Sequence, residues 1–374
     1  MTTNKELRIA IIGAGIAGAS VAVALNAKGI SYDVYEQAPV LTEVGAGIGV
    51  RQPSIRAIKK WGIFEELEKV TCESPRMQII AGEDNVIIEE NWPILTDPTE
   101  QFPRLIHRAD LLDTLKDQIP AERLHLDHRV VDVEDKGETA EVTFANGKTI
   151  EVDVLIAADG IRSPIRDKVL GKKEPVFSGY VAHRALIPFE DALGMACEEN
   201  SLRIFVDGDN SYYLLPLLNN RRQVSVDITI PGENEIRPVY TKEQLLEGIK
   251  GFGPTLQKII ENIDMSQVVS RPLSDIEPFD VWSTKSVTVM GDAAHAMLHN
   301  QGQGANMAIQ DADVLADVLA EALEGKLTVA EALKSYEEQR KPVTKLYQNL
   351  SRLFPTEQAK TAFPEKEHIE SVGN

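Results

Sequence analysis

The hydrophobic pattern at the start of the chain predicts a strand, a helix and a second strand. RIAII is an apolar, β-branched run of the kind found in buried parallel strands. Small and apolar residues then recur at helical spacing over 16–25, and Gly29 is a typical helix stop. YDVYE, which ends at Glu36, is predicted to be the second strand. This order predicts a β–α–β unit.

Glycines occupy the turn between the first strand and the helix. Gly13, Gly15 and Gly18 form G-x-G-x-x-G, in which the first permits a tight turn, the second a close approach to pyrophosphate and the third close helix–strand packing. The helix N-terminus supplies unpaired N–H groups for the phosphates. Glu36 lies 23 residues after Gly13, where a carboxylate can accept from ribose hydroxyls. The motif predicts an adenine dinucleotide, and both flavin and nicotinamide cofactors remain open at this point.

The following segment alternates between short helices and short strands. A helix is predicted to begin near Pro53, with Ile55 and Ile58 on its buried face. A second helix is predicted over 107–119, and the stretch 72–104 between the two predicts short strands. The turn sequences KGE and NGK then predict hairpins, before the apolar run VDVLIA.

A change of pattern after this run predicts a second unit. Residues 178–280 contain alternating strands and a helical piece near 242–264, which is typical of an antiparallel sheet with its own helix. The remainder is predicted to be mostly helical, over 303–325 and 328–353, and the second of these helices opens with a Thr-x-x-Glu capping box.

Composition narrows the class of partner. The 374 residues include 39 Lys or Arg and 58 Asp or Glu, so the net charge is −19. No basic run is long enough to form a patch, and we expect neither a nucleic-acid nor a membrane partner. Glycines interrupt the apolar run near the N-terminus, so neither a secretory signal nor a membrane span is expected. Cys72 and Cys197 are predicted to be ordinary thiols of a cytoplasmic protein.

The segment 286–310 carries His295 and His299 beside Asp292 and alternating glycines. Histidines four residues apart on a helix are a metal-ligand spacing, and a glycine-rich loop can bind a phosphate. A metal site is disfavoured because no glutamate follows His295, no third ligand is placed, and the Gly/Asn-rich sequence interrupts the helix. We expect no metal here.

Three motifs stand in order along the chain: GAGIAG with Glu36, AADGIRSPIR over 157–166, and VMGDAAHAMLHNQGQGANMAIQDA over 289–312. This set resembles the single-component FAD-dependent aromatic hydroxylases, the family of 4-hydroxybenzoate and salicylate hydroxylases, to about residue 350. The segment SGYVAHRALI is also similar to the matching segment of 6-hydroxynicotinate 3-monooxygenases. The resemblance implies FAD as cofactor, with NADH or NADPH and O2 as co-substrates.

The resemblance implies an α/β fold, with a Rossmann-like FAD-binding domain of the GR2 type, an antiparallel-sheet substrate domain and C-terminal helices, as a monomer or homodimer. The implied boundaries are 1–177 for the FAD-binding domain, with 72–104 contributing to the substrate side, 178–280 for the substrate domain, 281–325 for the return to the FAD domain, 326–354 for the C-terminal helical region and 355–374 for a tail.

The implied reaction is hydroxylation of a small phenolic or N-heteroaromatic acid. NAD(P)H reduces the flavin, O2 adds to give a flavin 4a-hydroperoxide, and the electron-rich ring attacks its terminal oxygen, with or without decarboxylation. The alternative is another flavin oxidoreductase of the same fold, such as an epoxidase, a non-aromatic hydroxylase or an antibiotic-modifying monooxygenase.

Three other classes share part of the pattern. A nicotinamide dehydrogenase would keep GAGIAG without needing AADG or GDAAH. A flavin halogenase would need a W-x-W motif, whereas Trp61, Trp92 and Trp282 are isolated. A non-catalytic flavin-binding or redox-sensor protein also stays open.

The resemblance assigns parts of FAD to particular residues. Arg108 would contact FAD, and Asp292 would bind the ribityl hydroxyls. The helix that starts near Gly302–Asn306 would direct its N-terminal N–H groups at the flavin ring and so stabilise the anionic reduced ring. The implied set around the AADG motif is Asp159, Gly160, Ser163 and Arg166, and the implied set near the ring is Gly302, Gly304, Ala305 and Asn306.

Two departures from the family pattern bear on the substrate. Relatives carry prolines where this chain has Ala296 and His299. His299 therefore either reshapes the pocket or supplies an acid–base group. Gly49 and Asn300 stand where 6-hydroxynicotinate enzymes carry histidines, which disfavours that substrate.

Strand alternation decides which side chains reach the substrate. It is expected to turn one of His183 and Arg184, and one of Tyr212 and Tyr213, outward to solvent. Arg51 is either a pocket charge or a surface residue. The candidate catalytic residues are His299, His183, Tyr213 and Arg51.

Overall fold

The computed structural model describes residues 7–41, 45–92, 95–218 and 221–353. The predicted tail, 355–374, lies outside the described residues. Across the described ranges, no helix is both long and apolar enough to cross a membrane. Cys72 and Cys197 are both free thiols.

Strands and helices alternate along the chain. The strands are β1 (Ile9–Ile12), β2 (Asp33–Tyr35), β3 (Gly47–Val50), β4 (Cys72–Glu73), β5 (Arg76–Ala81), β6 (Asn85–Asn91), β7 (Arg104–His107), β8 (Leu124–His125), β9 (Val130–Asp135), β10 (Ala140–Phe144), β11 (Thr149–Val152), β12 (Val154–Ala157), β13 (Val176–Pro188), β14 (Leu202–Asp207), β15 (Asn210–Leu217), β16 (Gln223–Pro231), β17 (Val269–Asp275) and β18 (Val287–Val289). The helices are α1 (Ile16–Ala27), α2 (Gln52–Lys60), α3 (Phe64–Val70), α4 (Arg108–Lys116), α5 (Pro164–Val169), α6 (Lys242–Gly248), α7 (Pro254–Asn262), α8 (Asp292–His295), α9 (Gly304–Leu323) and α10 (Val329–Ser351).

A five-stranded parallel sheet, ordered β18-β12-β1-β2-β8, forms the centre of the first unit. All four residues of β1 are buried, as its β-branched run predicts. Helix α1 joins β1 to β2 and packs against α9, which in turn packs against α10. The predicted β–α–β opening and the α/β fold class are therefore confirmed.

Local chemistry sets several element boundaries. The hairpins β9–β10 and β10–β11 are antiparallel, and their turns contain Gly137 and Gly147 at φ +89° and +85°. The side chain of Thr328 accepts from the backbone N–H of Glu331, and the reciprocal bond completes the capping box of α10. These turn and cap predictions are confirmed.

The second unit is a seven-stranded sheet, ordered β17-β13-β16-β15-β14-β5-β6. Its pairings are antiparallel except for the parallel pair β14–β5. Strands β5 and β6 come from the stretch 72–104, so part of that stretch lies in this sheet. The predicted helical piece 242–264 is two helices, α6 and α7, separated by the turn sequence GFG.

Alternation along β16 places apolar side chains on one face of this sheet and polar side chains on the other. Val226 and Ile228 pack into an apolar core with α6 and α7. Asp227 and Thr229 point to the opposite face. On that face Ser225 accepts from the backbone N–H of Gly47 at 2.8 Å, which joins the sheet to β3. The face that carries the polar residues therefore looks towards the first unit.

Candidate active site and cofactor-binding surface

The glycine turn after β1 is as tight as its sequence predicts. Gly13 has φ +100°, and a Cβ there would lie 2.5 Å from the carbonyl oxygen of Ala158. A Cβ on Gly18 would lie 1.8 Å from the carbonyl oxygen of Gly13. A Cβ on Gly15 would meet nothing within 4 Å, so the backbone is open at the N-terminus of α1. This opening fits a phosphate group that approaches the helix N-terminus.

Glu36 lies directly beside this turn. Its carboxylate accepts from the backbone N–H groups of Ala14 and Ala38, each at 2.8 Å. The side chain is therefore held at the tip of β2, next to the helix N-terminus. A ribose attached to a pyrophosphate at Gly15 would come within its reach, and this role for Glu36 stays a prediction.

Asp159 and Gly160 follow β12 at the same end of the parallel sheet. Both carboxylate oxygens of Asp159 are buried and have no hydrogen-bond partner among the described residues. Burial raises the pKa of Asp159 to about 6. Buried acceptors without donors are rare in folded proteins. A cofactor that carries hydroxyl or amide donors fits this site.

The contacts of Arg166 do not support the cofactor-binding role that the resemblance implies. Its side chain is fully buried, donates to Asp167 and to the carbonyl of Lys173, and reaches the carbonyl of Ala293 at 3.1 Å. Ser163 uses its hydroxyl to accept from the backbone N–H of Arg166 at the start of α5. Both residues thus brace the AADG segment against α8.

Asp292 follows a glycine that the fold requires. Gly291 has φ +57°, and a Cβ there would lie 2.7 Å from the side chain of Ala17 on α1. The side chain of Asp292 is exposed and lines a cavity of about 380 Å³ together with Arg162 and Arg271. A carboxylate in this position fits the hydroxyl chain of a cofactor that runs along the sheet edge.

The start of α9 is anchored through Asn306. Its Oδ1 accepts from the backbone N–H of Arg51 at 2.8 Å, and its Nδ2 donates to the carbonyl of Gly49 at 2.8 Å. Gly302 precedes the helix at φ +62°, and Gly304 is its first residue. Asn306 therefore holds the helix N-terminus against β3, and Ala305 lies in the first turn between them.

Arg108 opens α4 beside the glycine-rich strand β3. Its backbone N–H donates to the carbonyl of Ala46 at 3.0 Å. A Cβ on Gly45 would lie 2.7 Å from the Arg108 side chain, so this approach needs glycine. The contact of the Arg108 guanidinium with FAD stays a prediction.

His299 belongs to a closed set of hydrogen bonds on the polar face of the seven-stranded sheet. Its Nε2 lies 3.1 Å from Thr229 Oγ1, and its Nδ1 lies 3.4 Å from an Arg184 nitrogen. Arg184 Nε donates to Asp227 Oδ2 at 2.5 Å, and Thr229 Oγ1 donates to Asp227 Oδ1 at 3.4 Å. We refer to Arg184, Asp227, Thr229 and His299 as the polar ring.

Strand register brings the polar ring together. Asp227 pairs with Arg184 across β16 and β13, and with Tyr213 across β16 and β15. The three side chains therefore share one row and one face of the sheet. The Tyr213 ring meets the His299 ring edge-on, with centroids 5.6 Å apart. His299 reaches this row from the short 3₁₀ turn that precedes α9.

The charges of the polar ring fix its protonation. Burial lowers the pKa of His299, against the opposing effect of Asp227 and with a smaller contribution from Arg184. Burial alone would raise the pKa of Asp227, but the charges of Arg184 and His299 outweigh it and lower the pKa. Because Arg184 can only donate, His299 Nδ1 accepts, and the neutral ring carries its proton on Nε2 towards Thr229.

The expectation for His183 and Arg184 was wrong in one respect, because neither side chain of this pair is simply turned to solvent. His183 shares its face with Ala185 and Ile187, which pack in the core beneath α6 and α7. Its Nδ1 lies 2.8 Å from Ser270 Oγ, and burial lowers its pKa to about 4. The sheet itself separates His183 from His299, so this geometry does not support a catalytic role for His183.

The same correction applies to the two tyrosines. Tyr213 is on the face of the polar ring, and its hydroxyl is buried without a partner among the described residues. Tyr212 points into the core and contacts Phe205 and Phe252, where burial raises its pKa. Both faces of the sheet are covered by other parts of the protein. Alternation therefore decides on which of the two covered faces a side chain lies.

Arg51 lies behind the loop that carries His299 and outside the polar ring. Its guanidinium donates to the carbonyl of Gln301 at 3.1 Å and lies 5.8 Å from the centre of the Trp92 ring. It lines a second cavity. The geometry therefore places Arg51 in a supporting position for the loop and gives it no place beside His299 and Tyr213.

His295 has a different environment from His299. Its Nε2 lies 2.5 Å from Asp311 Oδ2, and Asp311 also accepts from Arg340 Nε at 2.7 Å and from the backbone N–H of Gly291 at 3.1 Å. The charges of His295 and Arg340 outweigh the effect of burial and lower the pKa of Asp311 to about 2. We call Asp311, His295 and Arg340 the buried triad. It fixes the loop before Asp292.

Metal coordination finds no geometric support at this place. The two histidines point into separate networks, one with Asp311 and the other with Thr229 and Arg184. Among the described residues, no group of three or more His, Cys, Asp or Glu side chains could hold a metal ion.

Asp227 and Thr229 are the functional residues that sequence reasoning missed. The usable signal was present in VSVDITI, where polar residues alternate with β-branched ones, so that Asp227 and Thr229 must share a face. Nothing in the sequence said which strand lies beside this one, however, and the partner residues are far apart along the chain.

The glycine turn, Asp159 and Asp292 follow the neighbouring parallel strands β1, β12 and β18 at one end of the sheet. Together with the anchored start of α9, they define a class of FAD-binding oxidoreductase. A family model described as "FAD binding domain" matches residues 6–350. The chain belongs to this FAD-binding family. The recognition made from the three motifs is confirmed.

Relatives in this family are aromatic monooxygenases. The chain is 30% identical over 343 residues to a 6-hydroxynicotinate 3-monooxygenase of Pseudomonas fluorescens, covering 85% of this chain and 84% of the relative. It is 32% identical over 347 residues to a 3-amino-4-hydroxybenzoate 2-monooxygenase of Streptomyces platensis, covering 91% and 85%.

Among solved structures, Klebsiella pneumoniae HpxO complexed with FAD and uric acid superposes with a TM-score of 0.83. The two chains are 26% identical, and the match covers 94% of this chain and 88% of HpxO. The predicted fold is confirmed, and so is the prediction of an FAD-dependent aromatic monooxygenase with NAD(P)H as co-substrate.

Proposed function

We propose that the substrate is a small anionic aromatic acid, phenolic or N-heteroaromatic, and that it binds against the polar ring and Tyr213. The observation that supports this most directly is the Arg184 guanidinium, held by Asp227 on a largely buried sheet face beside the Tyr213 ring. A carboxylate or phenolate fits the donor geometry of arginine, and a flat ring fits the face beside Tyr213.

The polar ring also suggests how the substrate is activated. An anionic group of the substrate would accept from Arg184 in place of His299 Nδ1. The neutral imidazole would then be available to take the proton of the substrate's hydroxyl group at Nδ1. The carboxylate of Asp227, 3.9 Å from Nε2, would stabilise the resulting imidazolium. Tyr213, whose hydroxyl lacks a partner, would bind a second polar substituent of the substrate.

The cofactor would lie along the other side of the site. Gly13, Gly15 and Gly18 would bind its pyrophosphate, Glu36 its ribose, and Asp159 and Asp292 the hydroxyls further along. Bound FAD, once reduced by NADH or NADPH, supplies the activation of O2. The N–H groups at the start of α9 would stabilise negative charge on the ring, and the protein around it would exclude water.

A cofactor test and a substrate test separate the two halves of this proposal. Changing Asp292 to Ala should give colourless protein after purification, because the carboxylate is the exposed acceptor on the cofactor path. Full retention of FAD by the variant would contradict the assignment. Asp313→Ala, which changes an acid of α9 that faces α2, is a matched control that should stay yellow.

The substrate test is an NADH and NADPH oxidation screen over hydroxybenzoates, aminobenzoates and hydroxypyridine carboxylates, with product identification. The expected result is a hydroxylated product from at least one anionic ring, and the product also shows whether decarboxylation accompanies the reaction. Cofactor oxidation that yields only hydrogen peroxide with every acid would contradict the substrate class. The cytoplasmic location and the monomer or homodimer state stay predictions.

A further inference from the structure

A second cavity lies behind the loop that carries His299. It has a volume of about 390 Å³ and is bounded by the start of α2, the 3₁₀ turn Pro98–Glu100, α9 and α10. Cavities that bind small molecules begin at roughly 300 Å³, so it has room for a single-ring ligand. Its residues are distinct from those of the polar ring.

The walls of this cavity are largely apolar. Trp92, Leu95, Met307, Val343 and Tyr347 contribute flat and aliphatic surface. Two of its cations are already compensated within the wall: Arg56 pairs with Glu100 at 2.6 Å, and Lys60 pairs with Asp313 at 3.0 Å. A ligand here would therefore contact a largely apolar wall, in which the cations Arg56 and Lys60 of α2 are paired with acidic side chains.

Gln52 and Trp92 both line the cavity and carry side-chain hydrogen-bond donors. Gln52 Nε2 and Trp92 Nε1 are both buried and have no partner among the described residues. The Arg51 guanidinium lies 5.8 Å from the Trp92 ring and next to Gln52 in sequence. Buried donors are normally satisfied, so two unsatisfied N–H groups beside a guanidinium point to an acceptor that carries negative charge.

We propose that this cavity is a second binding site for a small aromatic carboxylate, separate from the substrate site at the polar ring. The carboxylate accepts from Arg51, Gln52 and Trp92, and the ring lies between the apolar side chains of α9 and α10. The proposal goes beyond the hydroxylase activity, because it assigns a ligand to a cavity that the reaction does not use.

The contacts of Arg51 connect this site to the active site. Its backbone N–H donates to Asn306, and its side chain donates to the carbonyl of Gln301. Ser54, three residues further along in α2, donates to the carbonyl of Asn306 at 3.2 Å. A ligand that draws the Arg51 guanidinium towards its carboxylate would therefore act on the segment between His299 and the start of α9.

The test is equilibrium dialysis of the FAD-loaded enzyme against 4-bromobenzoate. Wild-type enzyme should bind two equivalents per chain. Val343→Trp, which fills the cavity from α10, should bind one. Leu346→Trp is the matched control, since Leu346 lies on the same helix, is 42% exposed and does not line the cavity; it should bind two. Two equivalents bound by Val343→Trp would overturn the proposal.

Two further variants keep the test decisive. Gln52→Leu leaves the cavity volume nearly unchanged and removes one donor, so one of the two equivalents should bind about tenfold more weakly; unchanged affinity overturns the assignment of the donors. Arg184→Gln removes the guanidinium that is proposed to hold the anionic group at the polar ring, so it should lose the other equivalent and keep the one in the cavity. If the proposed substrate site is wrong, wild-type enzyme binds a single equivalent that Val343→Trp abolishes, so the two proposals fail separately.

Discussion

The buried triad and the polar ring contain the same three residue types, Asp, His and Arg, and their histidines are four residues apart in sequence. In the triad, the Asp311 carboxylate contacts both His295 and Arg340 directly. In the polar ring, Asp227 contacts Arg184 directly, but its oxygen lies 3.9 Å from His299, and Thr229 stands between them.

Burial accentuates this difference. Both oxygens of Asp311 are taken by partners, and its side chain is fully buried. The side chains of His299 and Arg184 are 20% and 29% exposed, and a longer 3.4 Å contact joins them. A saturated and fully buried network fixes a loop, whereas a network with one weak and accessible contact can exchange that contact for a ligand.

The largest expected effect tests the aspartates against each other. Asp311→Asn removes the charge that balances Arg340 and His295, and should destabilise the enzyme by about 3–5 kcal/mol. Asp227→Asn, at a partly exposed pair, should cost on the order of 1 kcal/mol. Urea unfolding of both variants measures the difference. Equal losses of stability would remove the distinction between a fixed and an exchangeable network.

The histidines offer the second contrast. His299→Asn should lower kcat/KM for hydroxylation by about 10²–10⁴-fold, the usual range for loss of a general base, with Tm nearly unchanged. His295→Asn should lower Tm and FAD retention instead, because it breaks the contact that fixes the loop before Asp292. Steady-state kinetics and thermal melting check the pair. A His295→Asn enzyme with normal Tm and low kcat/KM would reverse the assignment.

The pH dependence sharpens the role of His299. Catalysis requires the neutral imidazole, and burial lowers the pKa of His299 below the ordinary value of about 6.5. The acid limb of kcat/KM should therefore lie below pH 6.5, with activity lost as pH falls through the His299 pKa. His299→Asn should flatten this limb. A limb that persists unchanged in the variant would assign it to another group.

The smallest expected effect concerns the hydroxyl between His299 and Asp227. Thr229→Val keeps the shape of the side chain and removes the hydroxyl that Nε2 donates to. The proton on Nε2 is then less firmly placed, and kcat/KM should fall by about tenfold, the value of one hydrogen bond in the transition state. Thr229→Ser is the matched control, because it keeps the hydroxyl and should restore most of the activity.

The sequence was informative where chemistry is local. The glycine turn at Gly13, the capping box at Thr328 and the hairpins at Gly137 and Gly147 each depend on residues a few positions apart, so their patterns predict them. Gly291 and Asp292 were identified only through the family resemblance, and the structure adds the reason for the glycine, since a Cβ there would lie 2.7 Å from the side chain of Ala17.

The substrate side was less predictable because it depends on strand register. Arg184 and Asp227 are 43 residues apart, and His299 lies 70 residues beyond Thr229. Alternation correctly separated His183 from Arg184 and Tyr212 from Tyr213, but it could not show that helices cover the far face. The place of Arg51 at a second cavity also required the fold, because Trp92 and Tyr347 meet only in three dimensions.

The row formed by Tyr213, Asp227 and Arg184 offers a route to engineering this enzyme. These three positions and Thr229 lie on one surface of three adjacent strands, and the residues that hold α6 and α7 in place project from the other surface. A combinatorial library at the four positions would therefore vary ligand preference while leaving the apolar scaffold intact. Directed evolution of new ring specificities can begin there.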